Sequence, residues 1–246
     1  MKYFHQPAMV LHTRPYTESS LLIDIFTRDH GRFMLLSKGA RRQKSALRGV
    51  LAPFQPLLVS WSARSQLGIL TNAEVRGYTP KPTGDCLQSC YYLNELILKL
   101  LHRFDPHPDL YEYYESAVHQ LISETKDPSE LLRIFEKRLL QEIGFALILD
   151  HDCETGEVIQ KDVEYQYFSN RGPMARSVSS EGSVRVSGKT LEALNSERIV
   201  SPLERTQARN LTRTLIQDLL GNKSLRTRRV MMNLRCLLYT SPSPRD

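Results

Sequence analysis

A chain of 246 residues, 41% hydrophobic and 24% charged, can bury a core of its own, as one large domain or two small ones. No apolar run reaches the about 18 residues of a membrane-crossing helix, and residues 1–10 lack a basic-then-apolar signal pattern, so a cytoplasmic location is expected. The net charge of +6 is unevenly spread: residues 1–78 hold 11 Lys and Arg against 4 Asp and Glu, residues 79–204 hold 13 against 21, and residues 205–246 hold 9 against 2. Two basic ends around an acidic middle suit a polyanionic partner. Cys86, Cys90, Cys153 and Cys236 are scattered and do not form a disulfide framework by spacing.

The first 78 residues read as strands. Ala8 to His12 is a short run, Ser20 to Thr27 alternates, Asp29-His30-Gly31 signals a turn, and Arg32 to Ser37 returns as the next strand. Leu57 to Trp61 and Leu67 to Val75 supply two more. Five short strands in so small a span predict a barrel, because closure removes exposed edges. An OB-fold is the natural candidate, and an SH3-like barrel fits the strand count nearly as well. The barrel is assigned to residues 1–79.

Pro80, Pro82 and Thr83-Gly84 mark a boundary, and a mostly helical domain is assigned to residues 80–235. Leu87, Cys90, Tyr91, Asn94, Leu98 and Leu101 share one helical face, and Asp105-Pro106-His107-Pro108 ends that helix. Leu110, Tyr114, Ala117, Val118 and Leu121 mark a second. Asp127-Pro128-Ser129-Glu130 opens a third, striped by Leu131, Leu132, Phe135, Leu139 and Ile143 and stopped near Gly144. Residues 151–189 form a small β insertion, with strand-like Val163 to Phe168, Ala175 to Ser179 and Ser183 to Val186. Helices resume near Lys189 and from Pro202 to Leu220. In the latter, Leu211, Leu215 and Leu219 are apolar, with Arg205, Arg209 and Arg213 roughly opposite. The fold class expected is α+β.

The sequence carries no phosphate-binding GxxxxGK[ST] and no GxGxxG, GxSxG or HExxH, so a non-enzymatic protein without a cofactor is expected. Asp150, His151, Asp152, Cys153, Glu154 and Glu157 cluster, but calcium-loop spacing is absent and no second soft pair completes a zinc site. The positive signal is Lys38 to Arg48: Lys38, Arg41, Arg42, Lys44 and Arg48 are five cations in eleven residues with no acid among them. Such a loop can neutralise several phosphates and release their counterions. Arg14 and Arg32 add to this end. OB barrels pair a cationic groove with aromatic platforms, for which Phe33, Phe54 and Trp61 are the candidates. A second cationic patch holds Lys223, Arg226, Arg228 and Arg229. It can meet nucleic acid or dock on the acidic middle of the same chain.

The segments Met9-Val10-Leu11-His12-Thr13-Arg14-Pro15-Tyr16-Thr17-Glu18-Ser19-Ser20-Leu21, Leu36-Ser37-Lys38-Gly39-Ala40-Arg41-Arg42 and Leu51-Ala52-Pro53-Phe54-Gln55-Pro56-Leu57 resemble the RecO family of recombination mediators. Tyr92-Leu93-Asn94-Glu95-Leu96, Ile143-Gly144-Phe145 and Leu220-Gly221-Asn222-Lys223-Ser224-Leu225-Arg226-Thr227-Arg228 resemble it too. The resemblance implies an N-terminal OB-fold and a helical domain with a zinc-finger-like insertion, here left without zinc ligands because only Cys153 is kept. It implies binding of single- and double-stranded DNA and annealing of complementary strands. It also implies contact with the acidic tail of single-strand-binding protein and with RecR, and help in loading RecA. The last residues, 236–246, do not resemble the family.

Three functions fit these features to different degrees: a recombination mediator, a generic single-stranded DNA- or RNA-binding OB protein, and a metal-dependent nuclease built on residues 150–157. In the third helix, Arg133, Lys137 and Arg138 lie beside Ile134 and Leu140. They are expected to offer cations and an apolar pocket to the acidic, carboxylate-ended tail.

Overall fold

The computed structural model describes residues 1–63, 66–77, 80–123, 128–145, 147–175, 182–227 and 229–230. Five strands come first: β1 (Lys2–Pro15), β2 (Leu21–Thr27), β3 (Gly31–Ser37), β4 (Pro56–Ser62) and β5 (Leu67–Val75). They close into a barrel in the order β1-β2-β3-β5-β4. β1 pairs antiparallel with both β2 and β4, and β3 pairs parallel with β5 over Met34–Leu36. That arrangement is OB-like and separates the barrel from the SH3-like alternative.

Ala8, Met9, Val10 and Leu11 are buried in succession, which a strand with one wet face cannot do. Ala8 and Val10 point into the barrel with Ile23, Ile25, Phe33, Leu35, Leu57 and Val59. Met9 and Leu11 lie on the other face of the strand, and so does Phe26 of β2, whose ring meets Tyr111 and Tyr114 at centroid distances of 5.4 and 6.1 Å. Those tyrosines belong to helix α2 (Pro108–Ser123), which packs beside α1 (Gly84–Leu100). Asn94 of α1 donates from Nδ2 to the Leu11 carbonyl at 2.8 Å and accepts from the Tyr114 hydroxyl. This buried polar chain fixes both helices to β1.

A second attachment closes the seam left where β3 runs beyond its short pairing with β5. Phe104 donates its N–H to the Arg32 carbonyl at 3.0 Å, and Arg32 Nε donates to the Leu101 carbonyl at 2.9 Å. The approach needs Gly31: a Cβ there would sit 2.1 Å from the Asp105 carbonyl oxygen, and its φ is +66°. The compact units accordingly divide elsewhere than at residue 79. One comprises residues 1–124 with 224–246, and the other residues 125–223.

The second unit holds α3 (Ser129–Glu142), β6 (Glu164–Phe168), β7 (Gly172–Met174), β8 (Ser183–Ser187), α4 (Gly188–Asn195) and α5 (Pro202–Leu220). α3 ends where expected: Phe145 donates to the Leu140 carbonyl and Gly144 to that of Gln141, with Gly144 at φ +79°, a Schellman stop. α5 opens on a capping box between Ser201 and Glu204. The insertion sheet runs β7-β6-β8. Its middle strand in sequence lies at 172–174, ahead of the expected Ala175–Ser179, of which residues 176–179 are outside the described residues. So are Arg228 and the tail 236–246. No helix among the described residues is long and apolar enough to cross a membrane.

Candidate nucleic-acid interface

The basic segment folds as a chain of tight turns over one end of the barrel. Arg42 donates to the Gly39 carbonyl, Ser45 to that of Arg42 and Arg48 to that of Ser45. Ala40 and Leu51 are buried in the barrel core, with Leu47 and Val50 packed against it. These four apolar residues hold the loop down, so Lys38, Arg41, Arg42, Lys44 and Arg48 all project into solvent. Arg41 is tied to the β1–β2 connection: its N–H bonds the Ser19 carbonyl at 3.0 Å and its guanidinium the Thr17 carbonyl at 2.6 Å. Both partners are uncharged carbonyl oxygens. Arg14, at the same end of β1, is exposed, and its guanidinium lies 3.3 Å from Met34 Sδ.

The other candidates are placed differently. Arg32 is half-buried at the seam, where burial and the nearby Arg103 charge both pull its pKa down. It positions the chain after α1 and does not present a free cation. Phe33, Phe54 and Trp61 are core residues, each 3% exposed, and do not stand out as platforms. Phe54 is sealed by the edge of Tyr91. Lys223, Arg226 and Arg229 are exposed. The stretch of chain around Arg226 returns to α1, where the Glu95 carboxylate accepts from Arg226 N at 2.8 Å, Thr227 N at 2.9 Å and Thr227 Oγ1 at 2.7 Å. Lys99 pairs with the same carboxylate at 3.2 Å. Burial pushes the Glu95 pKa up, but these donors outweigh it and hold it below the usual value. The chain near Arg226 is therefore docked on an acid of the middle segment through its backbone, which leaves the Arg226 side chain outside.

The expected cationic face on α3 is corrected by the structure. Arg133 is buried and pairs with Glu136 at 2.6 Å. Glu136 also accepts from the Thr212 hydroxyl of α5. Lys137 is buried too, donating to the Asn195 carbonyl at 3.0 Å and to Glu197 at 3.3 Å. Arg138 forks onto the same Glu197. Burial raises the Glu197 pKa, and the two cations more than offset that. Acids three residues on and across the unit take up these charges: Arg133 is paired within α3, and Lys137 ties α3 to the end of α4.

In the insertion, the acidic cluster is a backbone clasp. Buried Asp152 accepts from the N–H groups of Glu154, Thr155 and Ala175 at 2.8, 3.2 and 2.8 Å. Among the described residues no three of His, Cys, Asp and Glu come together as a metal set. The residues do not fit zinc: Cys153 is the insertion's one thiol, and the neighbouring carboxylate is already committed to amides.

Comparison with known proteins decides the family. The model of "Recombination protein O N terminal" matches residues 1–78, and that of "Recombination protein O C terminal" matches residues 84–229. This chain belongs to the RecO family. The "DNA repair protein RecO" of Nitrosospira multiformis is 44% identical over 236 residues, covering 94% of this chain and 96% of that protein. That of an Azoarcus species is 43% identical over 232 residues, covering 93% and 95%, and that of Nitrosococcus oceani is 38% identical over 237 residues, covering 96% of each. The chain is thus a RecO-family DNA repair protein, and its cationic loop lies within the stretch matched by the N-terminal model.

Proposed function

We propose that this RecO-family protein is a recombination mediator that works without covalent chemistry. It binds single- and double-stranded DNA, anneals complementary strands, and helps load the RecA recombinase onto DNA coated by single-strand-binding protein. The observation that supports it best is the exposed, acid-free set Lys38, Arg41, Arg42, Lys44 and Arg48, held on a rigid barrel end. Arg14 extends this surface, while Lys223, Arg226, Arg228 and Arg229 supply a second. Two cationic surfaces lower the repulsion between two strands, and base pairing then provides the specificity. Its partners are the acidic tail of single-strand-binding protein and RecR, in the cytoplasm at the nucleoid. With Arg133 and Lys137 buried in ion pairs, the tail contact is not assigned to them.

The test is annealing of complementary oligonucleotides coated with single-strand-binding protein. Faster annealing with the protein, abolished when Arg41, Arg42 and Lys44 become alanine, is the expected result. DNA binding without any acceleration would overturn the mediator role and leave a generic single-strand-binding OB protein.

A further inference from the structure

The end of the barrel opposite the basic loop is built differently. The start of β1, the end of β2, the start of β3 and the end of β4 meet there, and a cleft of about 230 Å3 opens between them. That is below the about 300–1,000 Å3 of sites enclosing a drug-sized ligand, and suits one flat ring system. Its walls are aromatic. Tyr3 stacks on Trp61 at 4.6 Å and 16°, His30 stands edge-on to both, and Phe33 stacks on Phe104 at 5.5 Å and 16°. Phe104 is 47% exposed, at a φ of +60°. The seam that docks the chain after α1 on β3 is what brings this ring to the cleft.

We propose that this cleft holds an unstacked base of a single strand bound to the basic loop's barrel. The inference rests on the DNA-binding reading above and deepens it. Among the described residues the lining holds no lysine or arginine, and what they offer is ring faces and a few polar groups. Gln66 is at the cleft, able to pair with a base edge, and Asp29 stands beside it with both carboxylate oxygens held by the Arg28 guanidinium. Exposed cations flank it along the chain, Lys2 beside Tyr3 and Arg103 beside Phe104. Neither has an ion-pair partner among the described residues, so both are available to the backbone on either side of an inserted base. A duplex cannot offer a base without unpairing it, so the cleft selects single strands, whereas the basic loop does not discriminate.

The chain has a single tryptophan, and Trp61 lies in this cleft, which gives the test a native reporter. Trp61 emission and oligonucleotide anisotropy are followed together with a thymidine oligonucleotide, an abasic strand of equal length and a blunt duplex. The thymidine strand is expected to quench Trp61, and the abasic strand and duplex to bind without quenching. Phe104→Ala is expected to weaken the thymidine strand about five- to hundredfold, the range of one stacked base, and to leave the abasic strand and the salt slope unchanged. Phe104→Tyr, which keeps the ring, is expected to retain affinity and shows that the site, and not the fold, was lost. Thymidine binding by anisotropy with unquenched Trp61 and an unaltered Phe104→Ala affinity would overturn the cleft proposal while the DNA-binding reading stands. Equal quenching by the abasic strand would also overturn it. Absence of binding to any of the three would overturn the reading beneath it.

Discussion

Two stretches of this chain are dense in cations, and the fold treats them oppositely. Between Lys38 and Arg48 every cation is exposed, because the segment contains no acid and its apolar residues, Ala40, Leu47, Val50 and Leu51, are those that go inward. Between Arg133 and Arg138 the acid at Glu136 is one turn away, and Glu197 approaches from the end of α4. There the charges are spent inside the unit. Cation density thus leaves exposed charge only where the local sequence withholds the counter-charge. With acids in reach, the same density marks a helix junction.

The contrast is sharpest at Glu136. Replacing it with alanine leaves Arg133 buried without its counter-ion and leaves Thr212 only the Ala208 carbonyl as acceptor. Loss of one partner of a buried pair costs about 3–5 kcal/mol, so Glu136→Ala is expected to lower the denaturant midpoint strongly. No comparable charge removal in the loop is expected to exceed about 0.5 kcal/mol. A Glu136→Ala protein as stable as the parent would show that Arg133 is solvated after all.

The insertion offers the next largest effect. Asp152 organises three backbone N–H groups; a hydrogen bond to a charged group is worth about 1.5–3 kcal/mol, and bonds sharing one carboxylate do not add. Asp152→Ala is expected to cost about 2–3 kcal/mol, read as faster amide exchange at Glu154, Thr155 and Ala175. A chelator is expected to leave the parent's unfolding unchanged. Stoichiometric zinc by elemental analysis would contradict that.

The smallest effect concerns Glu95, which carries the basic segment near Arg226. Its folded pKa is depressed, so its contribution is complete above the ordinary glutamate value of about 4.3 and is lost as pH falls through the lower folded value. Amide protection at Arg226 and Thr227 is expected to fall as pH drops below about 4, and Glu95→Gln, losing about 1 kcal/mol, is expected to flatten that dependence. Protection constant from about pH 7 to about pH 3 would show that the carboxylate does not hold this segment.

Local signals carried most of the architecture. The alternation in β2 and β3, the Asp29-His30-Gly31 turn and the apolar stripes of α1, α2 and α3 are visible within a few residues of sequence, and the structure has them. What depends on distant partners is not readable that way. Arg32 looks like any surface arginine until Leu101 is placed beside it, and the packing of α1 and α2 on β1 and β2 is invisible without Asn94 reaching Leu11. Asp152 resembles part of a weak metal cluster in sequence because its acceptor role is satisfied by backbone, which has no sequence signature. Trp61 and Phe33 stand out for their rings, but as protruding platforms. In the fold they are walls of a cleft, and the exposed ring, Phe104, comes from a segment with no strand pattern at all.

The salt dependence of oligonucleotide binding tests the role of the barrel-end loop most directly. In the Arg41→Ala, Arg42→Ala, Lys44→Ala protein the slope of log affinity against log salt is expected to fall by about 0.7 for each single-strand phosphate that the loop no longer neutralises. The unfolding free energy is expected to stay within about 0.5 kcal/mol of the parent's. An unchanged slope, with the variant folded, would mean that the exposed cations of this loop do not touch DNA.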